Sequence, residues 1–128
     1  FTDAVHKAGA KMIKHSDGNI KLLLDSMVST GLDGYHSIDP VAGMDIAEVK
    51  KQYGDRLVLL GNIDCGNLLS FGTVEEVRNA VRDCIRAAAP GGGFVLMTSN
   101  TVPSTANPAN VVAILEAARE FGTYPISL

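Results

Sequence analysis

A chain of 128 residues with 46% hydrophobic content is the size of one domain and can bury a real core. Its net charge of −3, scattered Lys and Arg, lack of Trp and 5% aromatic content argue against a nucleic-acid surface, a base-stacking platform or an anionic-membrane patch. No apolar run approaches the roughly 18 residues of a spanning helix, no signal-peptide layout is present, and the cysteines Cys65 and Cys84 fall on different predicted elements as free thiols, so a reducing cytoplasm is the expected location.

In chain order, Thr2 to Lys7 reads as a helix with Phe1, Val5 and Ala8 at helical spacing. Phe1 has no residue before it to act as a cap and is not Met, so the chain is expected to be a piece of a longer protein. A strand follows at Ala10 to Lys14. Asn19 caps a helix carrying Ile20, Leu22, Leu23, Leu24, Met27 and Val28, with Gly31 at its left-handed end. Gly34 to Ile38 is the second strand, ended by Asp39-Pro40. Asp45 caps a helix with Ile46, Val49, Lys50 and Tyr53, closed by Gly54. Leu57 to Leu60 is the third strand, an apolar run that reads as buried on both faces.

After Cys65, Gly66-Asn67 turns the chain, and Leu68, Leu69 and Phe71 are expected to tuck a short turn against the sheet. Thr73-Val74-Glu75-Glu76 has the pattern of a capping box, opening a helix with Val77, Val81, Cys84, Ile85 and Ala88 on one face. Pro90 and three glycines break it before a fourth strand at Phe94 to Met97. Asn107 with Pro108 starts the last helix, whose apolar face reads as Val111, Val112, Leu115 and Ala118, ending at Gly122.

Helices alternating with apolar strands imply an α/β protein with a parallel sheet and right-handed crossovers. Either an open doubly wound sheet or part of a (β/α)8 barrel fits. A whole barrel needs about 250 residues, so in the second case four β/α units make half of one. In both, the polar residues gather where apolar strands end: His15, Asp17 and Asn19 after the first, Asp39 after the second, Asn62, Asp64 and Cys65 at the third, Ser99 and Asn100 after the fourth.

His15-Ser16-Asp17-Gly18-Asn19, Asp39 to Asp45, Tyr53 to Arg56, Gly61-Asn62-Ile63-Asp64, Gly72 to Val77 and Gly91 to Phe94 together resemble the C-terminal half of the uroporphyrinogen decarboxylase superfamily, over almost the whole chain. The resemblance implies the second half of a (β/α)8 TIM barrel, residues 1–128, working with an N-terminal half or a second copy of the chain. It implies either a cofactor-free tetrapyrrole decarboxylase acting on a porphyrinogen, or a zinc-dependent methyltransferase that moves methyl groups between corrinoid proteins and thiols. The methyltransferases carry a His-x-Cys pair where this chain has His15 and Asp17, and a Pro-Gly-Cys-Gly segment that resembles Pro90 to Gly93, with Gly92 in the cysteine's place. The decarboxylases carry a histidine in the loop after the last strand, where Ser99 and Asn100 stand.

The expected catalytic groups are therefore His15, Asp17 and Asp64, and the expected substrate contacts are Asn19, Asp39, Asn62, Ser99 and Asn100. Residues two apart on a strand share a face, so His15 and Asp17 read as an acid-base pair, or as two zinc ligands awaiting a third from His36, Asp64, Cys65 or elsewhere; alternatively Asp17 and Asn19 only cap the next helix. No metal and no cofactor are expected. Asp39 before proline also fits a plain turn, and Cys65 and Cys84 read as inert thiols. A non-catalytic binding or assembly domain is the third function class.

Overall fold

The computed structural model describes residues 1–128. In chain order the elements are α1 (Thr2–Lys7), β1 (Ile13–Ser16), a 3-10 turn (Lys21–Leu23) leading into α2 (Leu24–Ser29), β2 (Gly34–Ser37), α3 (Ile46–Tyr53), β3 (Val58–Ile63), α4 (Asn67–Phe71), α5 (Val74–Ala88), β4 (Phe94–Thr98) and α6 (Pro108–Phe121). The four strands form one parallel sheet in the order β1-β2-β3-β4. That order decides between the two architectures. A doubly wound sheet reverses its strand order at a switch point; here every crossover steps the same way, which with right-handed connections puts every helix on one side. The chain is an α/β half-barrel.

The caps that start its helices are read directly from sequence. The Thr73 hydroxyl accepts from the Glu76 amide and the Glu76 carboxylate accepts from the Thr73 amide; Asp45 accepts from Ala47 and Asn107 from Ala109. On α5, Val77, Val81, Cys84, Ile85 and Ala88 are all buried, and the helix packs on β3, β4, α3 and α6. Toward them the sheet turns Tyr35, Leu59 and Ile63. At the N-terminal end, Asp33 accepts from the Lys11 ammonium, the Met12 amide and the His6 ring, which hold its carboxyl well below the usual range and pin β2 to the chain before β1. Both cysteines are free.

Four expectations are corrected. The third strand is not covered on both faces: Val58 is 39% exposed beside Leu59 at 0%. Its inner face, with Ile13, Val58, Leu60 and Val95, lines a cavity of about 920 Å3 open to solvent. The β1 strand begins three residues later than expected and runs on through His15 to Ser16. Leu22, Leu23 and Phe71 do not pack inward; Leu22 sits in a 3-10 turn and Phe71 ends the one-turn α4, with only Leu69 buried there. On α6 the buried positions are Asn110, Ala113 and Ala117, while Val112 and Leu115 are exposed. The small side chains let α6 approach α5 closely, and the Asn110 amide donates to the Leu69 and Gly72 carbonyls that end α4.

Candidate active site

In a parallel sheet with one face toward helices, alternate residues turn inward. On β1 these are Ile13 and His15, and on β2 Gly34 and His36. The β1–β2 register pairs His15 with His36, so the two imidazoles meet on the inner wall near the strands' C-terminal ends. Their Nδ1 atoms lie 2.7 Å apart and the ring centroids 4.8 Å. The Nε2 of His15 faces Asp17 Oδ1 at 3.4 Å, both side chains about half exposed. The other oxygen of Asp17 accepts from the Asn100 amide at 2.9 Å, and Asn100 is itself fixed by accepting from Thr101 N–H at 2.7 Å. His36 Nε2 lies 2.9 Å from the Thr98 carbonyl, and the Thr98 hydroxyl donates to the Asn100 carbonyl. One hydrogen-bonded chain thus links the ends of β1, β2 and β4.

The remaining candidates stand at the same strand ends but outside this chain of bonds, and three of them, Asn19, Asp39 and Asp64, bond to their own loops. Asn19 accepts from the Lys21 amide, and Asp39 from the Val41 amide. Asp64 accepts from the amides of Gly66, Asn67 and Leu68, and so caps α4. Ser99 is 3% exposed, its hydroxyl 3.7 Å from Cys65 Sγ. Asn62 turns toward the helix layer: its amide donates to the Ile38 carbonyl at 3.0 Å and its oxygen accepts from the Cys84 thiol at 3.3 Å. Burial pushes that thiol up to about 11.

The Asn62 contact has a purpose in the backbone. Ile38 is buried and left-handed, with φ +53, a conformation that is strained for a β-branched residue by an order of 1–3 kcal/mol. Asn62 holds its carbonyl there, so the strand end swings to place Asp39. Beside it β2 and β3 approach so closely that a Cβ at Gly61 would collide with the Ser37 carbonyl. Tyr35 fixes the neighbouring turn, its hydroxyl donating to the Ser16 carbonyl; burial raises its phenol to about 12.

The donor set does not fit zinc. His15 and Asp17 bring two ligand groups, both nitrogens of His36 are engaged, and no group of three or more His, Cys, Asp or Glu is arranged to hold a metal ion. The resemblance of Pro90 to Gly93 to a ligand segment is corrected as well. These residues precede β4; Gly91 to Gly93 line the cavity beside Lys11 and Leu57 at the N-terminal end, and the Gly92 carbonyl accepts from Lys50. They lie away from the end where His15 and Asp17 are joined. Sequence reasoning weighed His36 only as one candidate for a third zinc ligand and did not pair it with His15. The signal was available in principle, since His15 and His36 fall on the same parity of adjacent parallel strands, but only the register makes them partners.

A sequentially ordered parallel sheet with helices on one side and polar residues at its C-terminal ends defines a (β/α)-barrel protein. The chain belongs to the uroporphyrinogen decarboxylase (URO-D) family, whose sequence model matches residues 1–121. It is 29% identical over 103 residues to the uroporphyrinogen decarboxylase of Thioalkalivibrio sulfidiphilus, covering 77% of this chain and 27% of that protein. It is 31% identical over 112 residues to the methylcobamide:CoM methyltransferase of Methanosarcina barkeri, covering 84% of this chain and 30% of that protein. A methyltransferase from Methanosarcina mazei shares the fold with a TM-score of 0.79 and 22% identity, over 95% of this chain and 34% of that one. The chain thus spans about a quarter to a third of the relatives it matches. No helix is long and apolar enough to cross a membrane.

Proposed function

We propose that this chain supplies the C-terminal half of the site of a cofactor-free decarboxylase acting on a carboxylated tetrapyrrole of the porphyrinogen type. The observation that carries the reading is the His15–Asp17–Asn100 cluster at the open ends of β1 and β4. Asn100 holds Asp17, Asp17 faces His15 Nε2, and that nitrogen opens on the barrel mouth. In the reaction the C–C bond to the departing carboxylate breaks, its electron pair stays on the substrate side, CO2 leaves, and the carbon receives a proton. His15 with Asp17 is placed to deliver that proton, a step of the general acid-base kind that contributes about 10²–10⁴-fold. The carboxylate of Asp17 favours positive charge on the pyrrole ring beside it.

Asp17 in the place of a thiolate weighs this reading above methyl transfer to a thiol. The rest of the pocket would come from four more β/α units facing the open inner wall. The test is CO2 release from a porphyrinogen by the full-length protein. Turnover is expected to fall by about 10²–10⁴-fold in His15→Gln and less in Asp17→Asn. Thiol methylation with stoichiometric zinc and no CO2 release would overturn the reading.

A further inference from the structure

We infer that His36 is a positioning residue that fixes the tautomer of His15, so that Nε2 is the one His15 nitrogen that exchanges a proton at the mouth. The inference rests on the proposed role of His15 and goes beyond it, because nothing in the acid-base reading says which ring nitrogen acts or what decides it.

The Thr98 carbonyl is an acceptor only, so His36 Nε2, 2.9 Å away, carries a hydrogen. With both rings neutral each imidazole has one N–H, so the Nδ1 of His36 is a bare lone pair. That lone pair faces His15 Nδ1 at 2.7 Å, a separation that requires one hydrogen between the two nitrogens. The hydrogen is therefore on His15 Nδ1. The alternative, both Nδ1 atoms protonated, points two N–H groups at each other; neither protonated sets two lone pairs together.

The order follows: Thr98 C=O accepts from His36, and His36 accepts from His15. When His15 is charged, its second hydrogen is on Nε2 and faces Asp17 Oδ1 at 3.4 Å. When His15 gives that hydrogen up, it becomes the neutral Nδ1–H form with no rearrangement of His36 or Thr98. Which ring nitrogen bears the proton is set by the hydrogen bond the other makes. Here that second bond comes from a histidine one strand away, anchored by a backbone carbonyl two strands beyond that. Ring orientation is fixed by the same contact, since rotation of either imidazole breaks it.

The test uses the full-length protein with 15N-labelled histidine, long-range 1H–15N correlation spectra, and no substrate. His6, hydrogen-bonded to Asp33 at the other end of the sheet, is the internal control for folding. With the imidazoles neutral, His15 is expected as the Nδ1–H tautomer and His36 as the Nε2–H tautomer. His36→Phe removes the acceptor, and His15 is expected to shift to a tautomer mixture with a large Nε2–H share. His36→Asn offers an oxygen in place of Nδ1, and the Nδ1–H form of His15 is expected to be retained. An Nε2–H His15 in the unaltered chain, or a His15 spectrum unmoved in His36→Phe while His6 stays native, would overturn the inference. Because no turnover is read, failure of the decarboxylase reading leaves the tautomer result standing, and the reverse also holds.

Discussion

The two faces of the sheet are built from the same kinds of residue and behave differently. On the outer face, Leu59 and Ile63 are enclosed under α5 with Val77, Val81 and Ile85. On the inner face, Val58, Val95 and Met97 remain 39%, 43% and 40% exposed. Apolar side chains alternate along β3 between a packed layer and open space, so the hydrophobic effect acts on one parity only. Across the inner face His15 and His36 share one row with the aliphatic Leu60 and Val95, so the imidazoles occupy the β1–β2 side of the wall and the apolar side chains the β3–β4 side. Stability lives on the outer parity, and the site with its unpartnered wall lives on the inner one.

The sharpest way to break this contrast is to truncate neighbours of opposite parity. Leu59→Ala is expected to cost about 2–5 kcal/mol, as for a buried Leu in a close-packed core, while Val58→Ala is expected to cost under about 1 kcal/mol. Urea unfolding of the two variants measures the difference; equal costs would mean that the inner face is covered.

Alkali probes the outer layer next. Burial raises the Cys84 thiol from 9.0 to about 11, so the folded chain keeps a proton that the unfolded chain releases. The stabilisation is fully present below about pH 9 and is lost as pH rises toward 11, a fall on the order of 2–3 kcal/mol from this group. Melting temperatures between about pH 8 and pH 11 should decline, and Cys84→Ala should flatten that decline while lowering stability throughout by loss of packing.

The smallest effect on stability is expected on the open wall. Val95→Lys should change unfolding free energy by no more than about 0.5 kcal/mol. Contiguous exposed apolar surface and the unpaired edges of β1 and β4 favour association of two copies, so the same substitution should shift sedimentation equilibrium toward monomer. A chain that is already monomeric at micromolar concentration would show that the wall does not drive self-association.

What the sequence determined by itself is local. The Thr73 capping box, the Asp45 and Asn107 caps and the buried stripe of α5 depend on side chains within a turn or two of the groups they satisfy, so spacing alone specifies them. The order of strands and helices follows from the same periodicity, and the polar residues at strand ends follow from strand direction. What the tertiary structure decided is which neighbours each face meets. Leu115 lost its place in the core to Ala113 and Ala117 because α5 lies close to α6. Asn62 turned to brace the left-handed Ile38, and Asp64 was taken by the amides that open α4, two uses of polar groups that local spacing does not distinguish from substrate binding. His36 joined His15 because hydrogen bonds between β1 and β2 fix their register, and register is a relation between segments 21 residues apart that neither segment encodes alone.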